Sequence, residues 1–146
     1  RWNDKDRQGQ TPLSVALFDF DSLNRPSVRL PITKWLIEHG ADVNAKDKDS
    51  HTVLHLFCAK PNRDAELYLD VLLEAGARVD LTDKFGNTPL HQLARAPLSA
   101  VDPLFHRLIR AGAKLDTKNH AGRTPRDVAR LNKNDALTTA IDNAQK

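Results

Sequence analysis

The feature that most constrains the fold of this chain is a short pattern that recurs four times along it. Each copy is built around a threonine: Gln10-Thr11-Pro12-Leu13-Ser14, His51-Thr52-Val53-Leu54-His55, Asn87-Thr88-Pro89-Leu90-His91 and Arg123-Thr124-Pro125-Arg126-Asp127. A second marker recurs in step with the first: Gly40-Ala41-Asp42-Val43, Gly76-Ala77-Arg78-Val79 and Gly112-Ala113-Lys114-Leu115. Two markers that recur in step indicate a tandem repeat, in which stacked neighbours share one core.

The residue types in these markers predict two helices in each unit. Threonine caps a helix by accepting from free backbone amides, and proline suits the first helical position. The apolar pairs that follow mark the buried stripe of a short first helix: Ala16-Leu17, Phe57-Cys58, Leu93-Ala94 and Val128-Ala129. A second helix precedes each Gly-Ala, with core residues Trp35-Leu36-Ile37, Tyr68-Leu69 with Leu72-Leu73, and Leu104-Phe105 with Leu108-Ile109. Glycine then ends that helix in the left-handed conformation.

Taken together, these motifs resemble the ankyrin repeat, in which two antiparallel helices are followed by a hairpin finger that points sideways. The resemblance covers nearly the whole chain and includes the Asp-x-x-Gly finger, seen as Asp6-Arg7-Gln8-Gly9 and Asp83-Lys84-Phe85-Gly86. It implies an all-α ankyrin-repeat solenoid of four helix-turn-helix units with β-hairpin fingers. We expect one domain over residues 1–146, with units at about 6–46, 47–82, 83–118 and 119–146.

The chain departs from the family pattern in its connections and in one finger. The Gly-Ala markers recur every 36 residues, as do the threonines from Thr52 to Thr124, against about 33 in the family. The surplus lies between helices, at Asp19 to Arg29, Lys60 to Asp64 and Ala96 to Asp102, and is either a neutral insertion or a second contact surface. Ser50 replaces the turn glycine, and Val53 replaces the proline, which predicts a distorted or looser second finger.

The two ends of the chain also differ from the middle. Arg126-Asp127 replaces Leu-His, and Ile141-Asp142 interrupts an apolar pair, so residues 119–146 are expected to act as a carboxyl-terminal cap with a polar outer face. At the other end, residues 3–6 align with residues 44–47 inside a finger. We therefore expect the domain to be part of a longer chain that extends upstream.

Catalytic, cofactor and metal sites are not predicted. His51, His55 and Cys58 suggest a zinc site, but His55 matches the repeat histidine, Cys58 falls in the buried stripe and no convincing fourth ligand exists. The stretch from Asp4 to Gly9 mimics the opening of a calcium loop, yet its twelfth position is Val15 rather than glutamate. Neither a phosphate-binding loop nor a Gly-x-Ser-x-Gly elbow is present, so we predict that the chain is not an enzyme.

The composition indicates an intracellular protein, cytoplasmic or nuclear. A single cysteine cannot form an internal disulfide. No apolar run approaches the roughly 20 residues that span a bilayer, so membrane insertion is not expected. The formal net charge is only +3 and aromatic residues make up 5% of the chain, which argues against a nucleic-acid binder.

The resemblance implies a protein-protein interaction module, such as an adaptor, scaffold or targeting domain, that binds a protein or peptide in the groove between fingers and first helices. The alternative is a regulatory or substrate-recruiting domain of a larger enzyme or effector. The predicted contact residues are Arg7, Gln8, Phe18, Lys48, Asp49, His51, Lys84, Phe85, Asn87, Arg95, His120 and Arg123. Phe85 is expected to be tucked against the adjacent finger, or else to be an exposed anchor.

The later units are rich in basic residues, at Lys84, Lys118, Arg123, Arg126 and Arg130. An acidic peptide would suit them, although a charged face that is merely solvated would have the same composition. The domain is expected to be a monomer.

Overall fold

The computed structural model describes residues 1–18, 26–61, 64–96 and 101–146, with backbone alone at 26–28 and 102. These ranges contain eight helices and no strand: α1 (Pro12–Phe18), α2 (Pro26–Glu38), α3 (Val53–Ala59), α4 (Ala65–Glu74), α5 (Pro89–Leu93), α6 (Val101–Arg110), α7 (Pro125–Leu131) and α8 (Asp135–Ala144). Consecutive helices pair within each unit, the first helices pack side by side, and α4, α6 and α8 form a second layer. The expected all-α repeat solenoid is confirmed.

Three of the four first helices begin at the repeated threonine because the side chain three residues later accepts a hydrogen bond from the threonine's backbone amide. The bonds are Thr52 to His55 (3.2 Å), Thr88 to His91 (3.1 Å) and Thr124 to Asp127 (2.9 Å). This reciprocal arrangement satisfies an amide that the helix itself leaves unpaired.

The second helices end at glycine for an equally local reason. Gly40, Gly76 and Gly112 have φ angles of 93°, 89° and 95°, a region that other residues rarely adopt. The amides of each glycine and of the alanine after it donate to the last turn of the helix, as in Gly76 to Leu73 (3.0 Å) and Ala77 to Leu72 (2.9 Å). The carbonyls at the helix end are therefore satisfied.

The core contains the predicted apolar stripes, with one exception. All four pairs on the first helices are buried, as are Leu69, Leu72, Phe105 and Leu108 on the second helices. Trp35, predicted to lie in the core, is instead 45% exposed, while its neighbour Leu36 is buried. Adjacent residues on a helix point about 100° apart, so Leu36 takes the inward position and Trp35 faces outward.

The extra residues between helices are only partly within the described ranges. The predicted connection from Asp19 to Arg29 is shorter than expected because α2 begins at Pro26. Pro31, expected in or just after that connection, lies inside α2 at an exposed position. The predicted connection at Lys60 to Asp64 fits the interval between α3 and α4. Residues 19–25, 62–63 and 97–100, where the second contact surface was placed, lie outside the described residues.

The four fingers share one turn, including the second finger that was expected to be distorted. In each, the first side chain of the turn accepts from two backbone amides, and the amide of the fourth residue donates to the first residue's carbonyl. The bond from Ser50 to Asp47 is 3.0 Å, the same as that from Gly86 to Asp83. Ser50 achieves this with a φ of 62°, so the expectation of a distorted finger was wrong. The turn keeps its shape and Ser50 carries the strain.

Two buried histidines join successive units. Nδ1 of His55 accepts from Thr52, so Nε2 carries the proton and donates to the carbonyl oxygen of Asn87 in the next finger (2.9 Å). His91 makes the same pair of bonds, to Thr88 and to the carbonyl of Arg123 (2.9 Å). Burial lowers the pKa of both rings and keeps them neutral, although their backbone hydrogen bonds act in the opposite direction.

We predict that Ser50→Gly stabilises the protein, because glycine adopts a φ of 62° without a steric penalty. Urea denaturation should show a gain of about 0.5–1 kcal/mol in the free energy of unfolding. Gly86→Ser is the matched control and should be destabilising, since a Cβ there would lie 2.9 Å from the backbone nitrogen of His120. A loss of stability in Ser50→Gly would contradict the strain assigned to this turn.

A pH prediction follows from the buried histidines. Because the pKa of each ring is lowered from its ordinary value of 6.5, the unfolded chain binds protons first as the pH falls. The free energy of unfolding should therefore decrease below pH 6.5, by up to about 1.4 kcal/mol per ring for each pH unit. His55→Gln/His91→Gln should be less stable than wild type near neutral pH, yet lose less stability between about pH 7 and pH 5. Equal pH slopes in the two proteins would refute this assignment.

Candidate protein-binding surface

Neighbouring fingers are connected by hydrogen bonds between their backbones. The amide of Lys84 donates to the carbonyl of Asp49 (3.0 Å), and the amide of His120 donates to the carbonyl of Phe85 (3.0 Å). These are equivalent positions, the second residue of one turn bonding to the third residue of the turn before. The second, third and fourth fingers are thereby held in a fixed register.

Side chains beneath the fingertips add further links. Lys46 Nζ donates to the carbonyl of Thr82 (2.9 Å), and Lys5 Nζ donates to the carbonyl of Lys46 (2.8 Å). Asn44 binds the next unit through its amide nitrogen, to the carbonyl of Gly76 at 3.0 Å, and through its amide oxygen, from the amide of Arg78 at 2.8 Å. Lys5, Lys46 and Asn44 therefore hold neighbouring units together, and Lys46 is half-buried as a result.

Glycine at the fourth position of the first and third fingers permits the close approach of the next finger. A Cβ on Gly9 would lie 2.8 Å from the backbone nitrogen of Lys48, and one on Gly86 would lie 2.9 Å from that of His120. Real Cβ atoms do not approach backbone so closely. The fingers therefore form a continuous surface whose outward side chains are presented at fixed positions.

Most of the predicted contact residues lie on this surface. Eight of them are exposed: Arg7, Gln8, Lys48, Lys84, Phe85, Arg95, His120 and Arg123. Phe18, Asp49 and His51 are half-buried. Phe18 packs partly against the core at the end of α1.

Asn87, in contrast, is only 2% exposed, so its prediction as a surface contact needs correction. Its Nδ2 donates to Asp83 (3.2 Å), and its Oδ1 accepts from Nδ2 of Asn119 in the next finger (2.9 Å). Both ends of the amide are thus used within the protein. Asn87 holds the third and fourth fingers together and does not face the surface.

The residue that organises this region is Asp83, which was predicted only as part of a finger motif. Its carboxylate is buried and accepts from the amides of Phe85 (2.8 Å) and Asn87 (2.9 Å) and from Gln92 Nε2 (3.0 Å). Burial acts to raise the pKa of Asp83, but these hydrogen bonds, chiefly from Asn87 and Phe85, outweigh burial and lower it. The Asp-x-x-Gly spacing is the sequence signal for this role.

His51 lies between two finger carboxylates. Its Nδ1 is 3.5 Å from Asp47 Oδ2, and its Nε2 is 3.4 Å from Asp83 Oδ2. Its side chain is only 21% exposed, so most of the ring is used to link the second and third fingers.

Phe85 is exposed, contrary to the favoured expectation that it is tucked against a neighbour. Its exposed fraction is 57%, and Nζ of Lys84 lies 5.0 Å from the ring centroid. The same Nζ forms an ion pair with Asp49 (2.6 Å), whose pKa is lowered by this hydrogen bond and charge. An apolar ring therefore stands at the surface beside a partly neutralised lysine.

The basic residues of the later units fall into two groups. Arg126 is paired with Asp142 across α7 and α8 (2.6 Å), and Arg107 on α6 is paired with Asp70 (2.7 Å). Arg95, Arg123 and Arg130 are exposed and have no ion pair within the described part of the chain. Unpaired positive charge thus lies beside the fingers and the first helices.

The residues considered for a metal site have other roles in the structure. Cys58 is fully buried, and burial raises the pKa of its thiol to about 12, which leaves it protonated and unreactive. Both nitrogens of His55 are engaged in the hydrogen bonds described above. Among the described residues, no group of three or more His, Cys, Asp or Glu side chains could hold a metal ion. Nor is any described helix long and apolar enough to cross a membrane.

Comparison with known proteins agrees with the repeat architecture. A family model described as ankyrin repeats (3 copies) matches residues 27–119. The chain is 40% identical over 58 residues to ankyrin repeat domain-containing protein 63 of Homo sapiens, and equally so to that of Mus musculus. The aligned segment covers 40% of this chain and 14% of each relative. The family model spans well over half of the sequence, and the chain belongs to the ankyrin-repeat family.

Proposed function

We propose that this domain binds another protein or a peptide across its fingers and the exposed ends of its first helices. Ankyrin repeats are in general protein-protein interaction modules, and repeat stacks present extended surfaces to their partners. We place its role in an adaptor, scaffold or targeting setting inside the cell, in the cytoplasm or nucleus. The domain binds its partner as a monomer and carries out no catalysis of its own.

The exposed ring of Phe85 is the observation that carries this proposal. It is 57% exposed on a turn whose backbone is hydrogen-bonded on both sides, at Lys84 and at Phe85 itself. Aromatic side chains dominate interface energies because they bury a large area with few rotatable bonds. An anchor on a preformed turn also loses little conformational entropy on binding.

The charges around this anchor favour an acidic partner. Arg123 at the fourth finger and Arg95 just after α5 are exposed, and neither forms an ion pair among the described residues. On the second-helix layer, Arg107 is neutralised by Asp70 and Glu66 (2.7 and 2.9 Å), and Arg110 is exposed without an ion pair among the described residues. Charge complementarity at the rim of an interface raises the association rate and makes it sensitive to salt.

If Phe85 is the anchor, Phe85→Ala should weaken the binding of ligands. Peptides selected from a random displayed library for binding to the wild-type domain should bind this variant more weakly by about 2 kcal/mol, while the melting temperature stays unchanged. Leu67→Ala is the matched control, since Leu67 is 56% exposed on α4, away from the fingers. Ligands that ignore the loss of Phe85 but depend on Leu67 would contradict the proposed surface.

The positive charges of Arg95 and Arg123 should speed the association of an acidic ligand. Arg95→Gln/Arg123→Gln should slow the association of acidic ligands and flatten the dependence of the rate on ionic strength. Stopped-flow fluorescence at low and at near-physiological salt provides the measurement. An association rate that is insensitive to salt in the wild-type domain would argue against an acidic partner.

A further inference from the structure

The second residue of every finger turn is basic. The four residues are Arg7, Lys48, Lys84 and His120, and all four are exposed. The turn itself fixes the first residue, whose side chain accepts two amides, and the fourth, whose φ is positive. It makes no demand on the second side chain, so stability of the turn does not explain a basic residue there in all four units.

The backbone places these side chains in one regular row. Lys84 and His120 are each bonded through their amides to the preceding finger, and Gly9 meets the backbone of Lys48. Stacked helical units are spaced by about 8–10 Å. An extended or polyproline chain advances about 3.1–3.4 Å per residue, so one finger corresponds to about three residues of an extended ligand.

One acidic side chain interrupts this row. Asp49, at the tip of the second finger, forms an ion pair with Lys84 (2.6 Å), and both side chains are about half exposed at 51% and 48%. Arg7, Lys48 and His120 have no ion pair within the described ranges. The side chain of Asp49 therefore lowers the positive charge at the centre of the row. It is not needed for the backbone bond between the fingers, because the amide of Lys84 donates to the main-chain carbonyl of Asp49.

We propose that the fingertip row of Arg7, Lys48, Lys84 and His120 binds an extended acidic peptide segment whose carboxylates recur at every third residue. This inference rests on the proposed protein-binding function and specifies the ligand for part of that surface. A single-stranded nucleic acid is a poorer match, because Phe85 is the one exposed Phe, Tyr or Trp ring on the described finger turns, and such ligands require several stacking platforms.

The test uses the full chain and two fluorescein-labelled peptides of equal composition. One repeats the triplet Glu-Pro-Pro, which adopts the polyproline conformation, and the other carries the same glutamates side by side. Fluorescence anisotropy should show that the spaced peptide binds at least about threefold more tightly, with an affinity that falls as salt is added. Equal affinities, or tighter binding of the clustered peptide, would overturn the assigned spacing.

Two variants with opposite expected effects strengthen the test. Asp49→Asn should tighten binding of the spaced peptide by roughly two- to fivefold because it releases Lys84. Arg7→Gln/Lys48→Gln should weaken binding by roughly three- to tenfold. Lys34→Gln/Arg110→Gln makes the same change in net charge at exposed positions on α2 and α6, and it should leave the affinity unchanged. An increase in affinity cannot result from misfolding, so failure of Asp49→Asn to tighten binding would refute the row.

Failure of the fingertip row can be distinguished from failure of the proposed protein-binding surface. If library-selected ligands depend on Phe85 while the spaced peptide binds no better than the clustered one, the protein-binding surface stands and the fingertip row fails. If a single-stranded RNA displaces the spaced peptide at lower concentration than the peptide itself, and Arg7→Gln/Lys48→Gln abolishes RNA binding, the peptide assignment is overturned.

Discussion

The hydrogen bonds of two buried imidazole rings are the interaction on which the rest of this structure depends. Each ring accepts from the threonine amide at the start of its own helix and donates to a carbonyl at the base of the next finger, at 2.9 Å for both His55 and His91. One side chain thus satisfies the threonine amide at the start of its own helix and also fixes the position of the neighbouring unit. Because both rings are fully buried, water cannot replace either bond.

The first and fourth units have other residues at the histidine position and make different hydrogen bonds there. At the equivalent position of the first unit, Ser14 Oγ donates to the carbonyl of Thr11 (2.8 Å) and stays within its own helix start. The first finger is held instead by Lys5, which reaches the carbonyl of Lys46. In the fourth unit, Asp127 caps Thr124 alone. The middle of the array is therefore the most tightly coupled, and it carries Phe85 and the ion pair between Lys84 and Asp49.

The sequence predicted those features that depend on neighbouring residues in the chain. Threonine caps, glycine ends and the apolar stripes follow from local backbone chemistry, and they appear in the structure as expected. Ser50 shows the limit of this reasoning. Its identity alone suggested a distorted turn, but the hydrogen bond from its amide to Asp47 and the bond from Lys84 to the adjacent carbonyl of Asp49 keep the turn in shape around the strained residue. Tertiary structure can impose a conformation that local propensity disfavours.

The predicted site was less complete because exposure depends on contacts between distant residues. Asn87 and Phe85 are two residues apart on one finger, yet Asn87 is buried by Asp83 and Asn119 whereas Phe85 points outward. Trp35 is a similar case, because its apolar side chain predicts a core position but the adjacent Leu36 is the residue that points inward. On the finger, exposure is decided by the register of one finger against the next, and at Trp35 it is decided by which face of α2 packs on the core.

The central claim is that the fingers are locked in register and present a preformed surface. Amide hydrogen exchange measured by NMR tests it most directly, at the amides of Lys84 and His120, which lie on exposed fingertips but donate to the preceding finger. Arg7 occupies the same position in the first finger without such a bond among the described residues. The amides of Lys84 and His120 should be protected nearly as well as those of the core helices, and the amide of Arg7 should exchange fast. Exchange at Lys84 and His120 as fast as at Arg7 would contradict it.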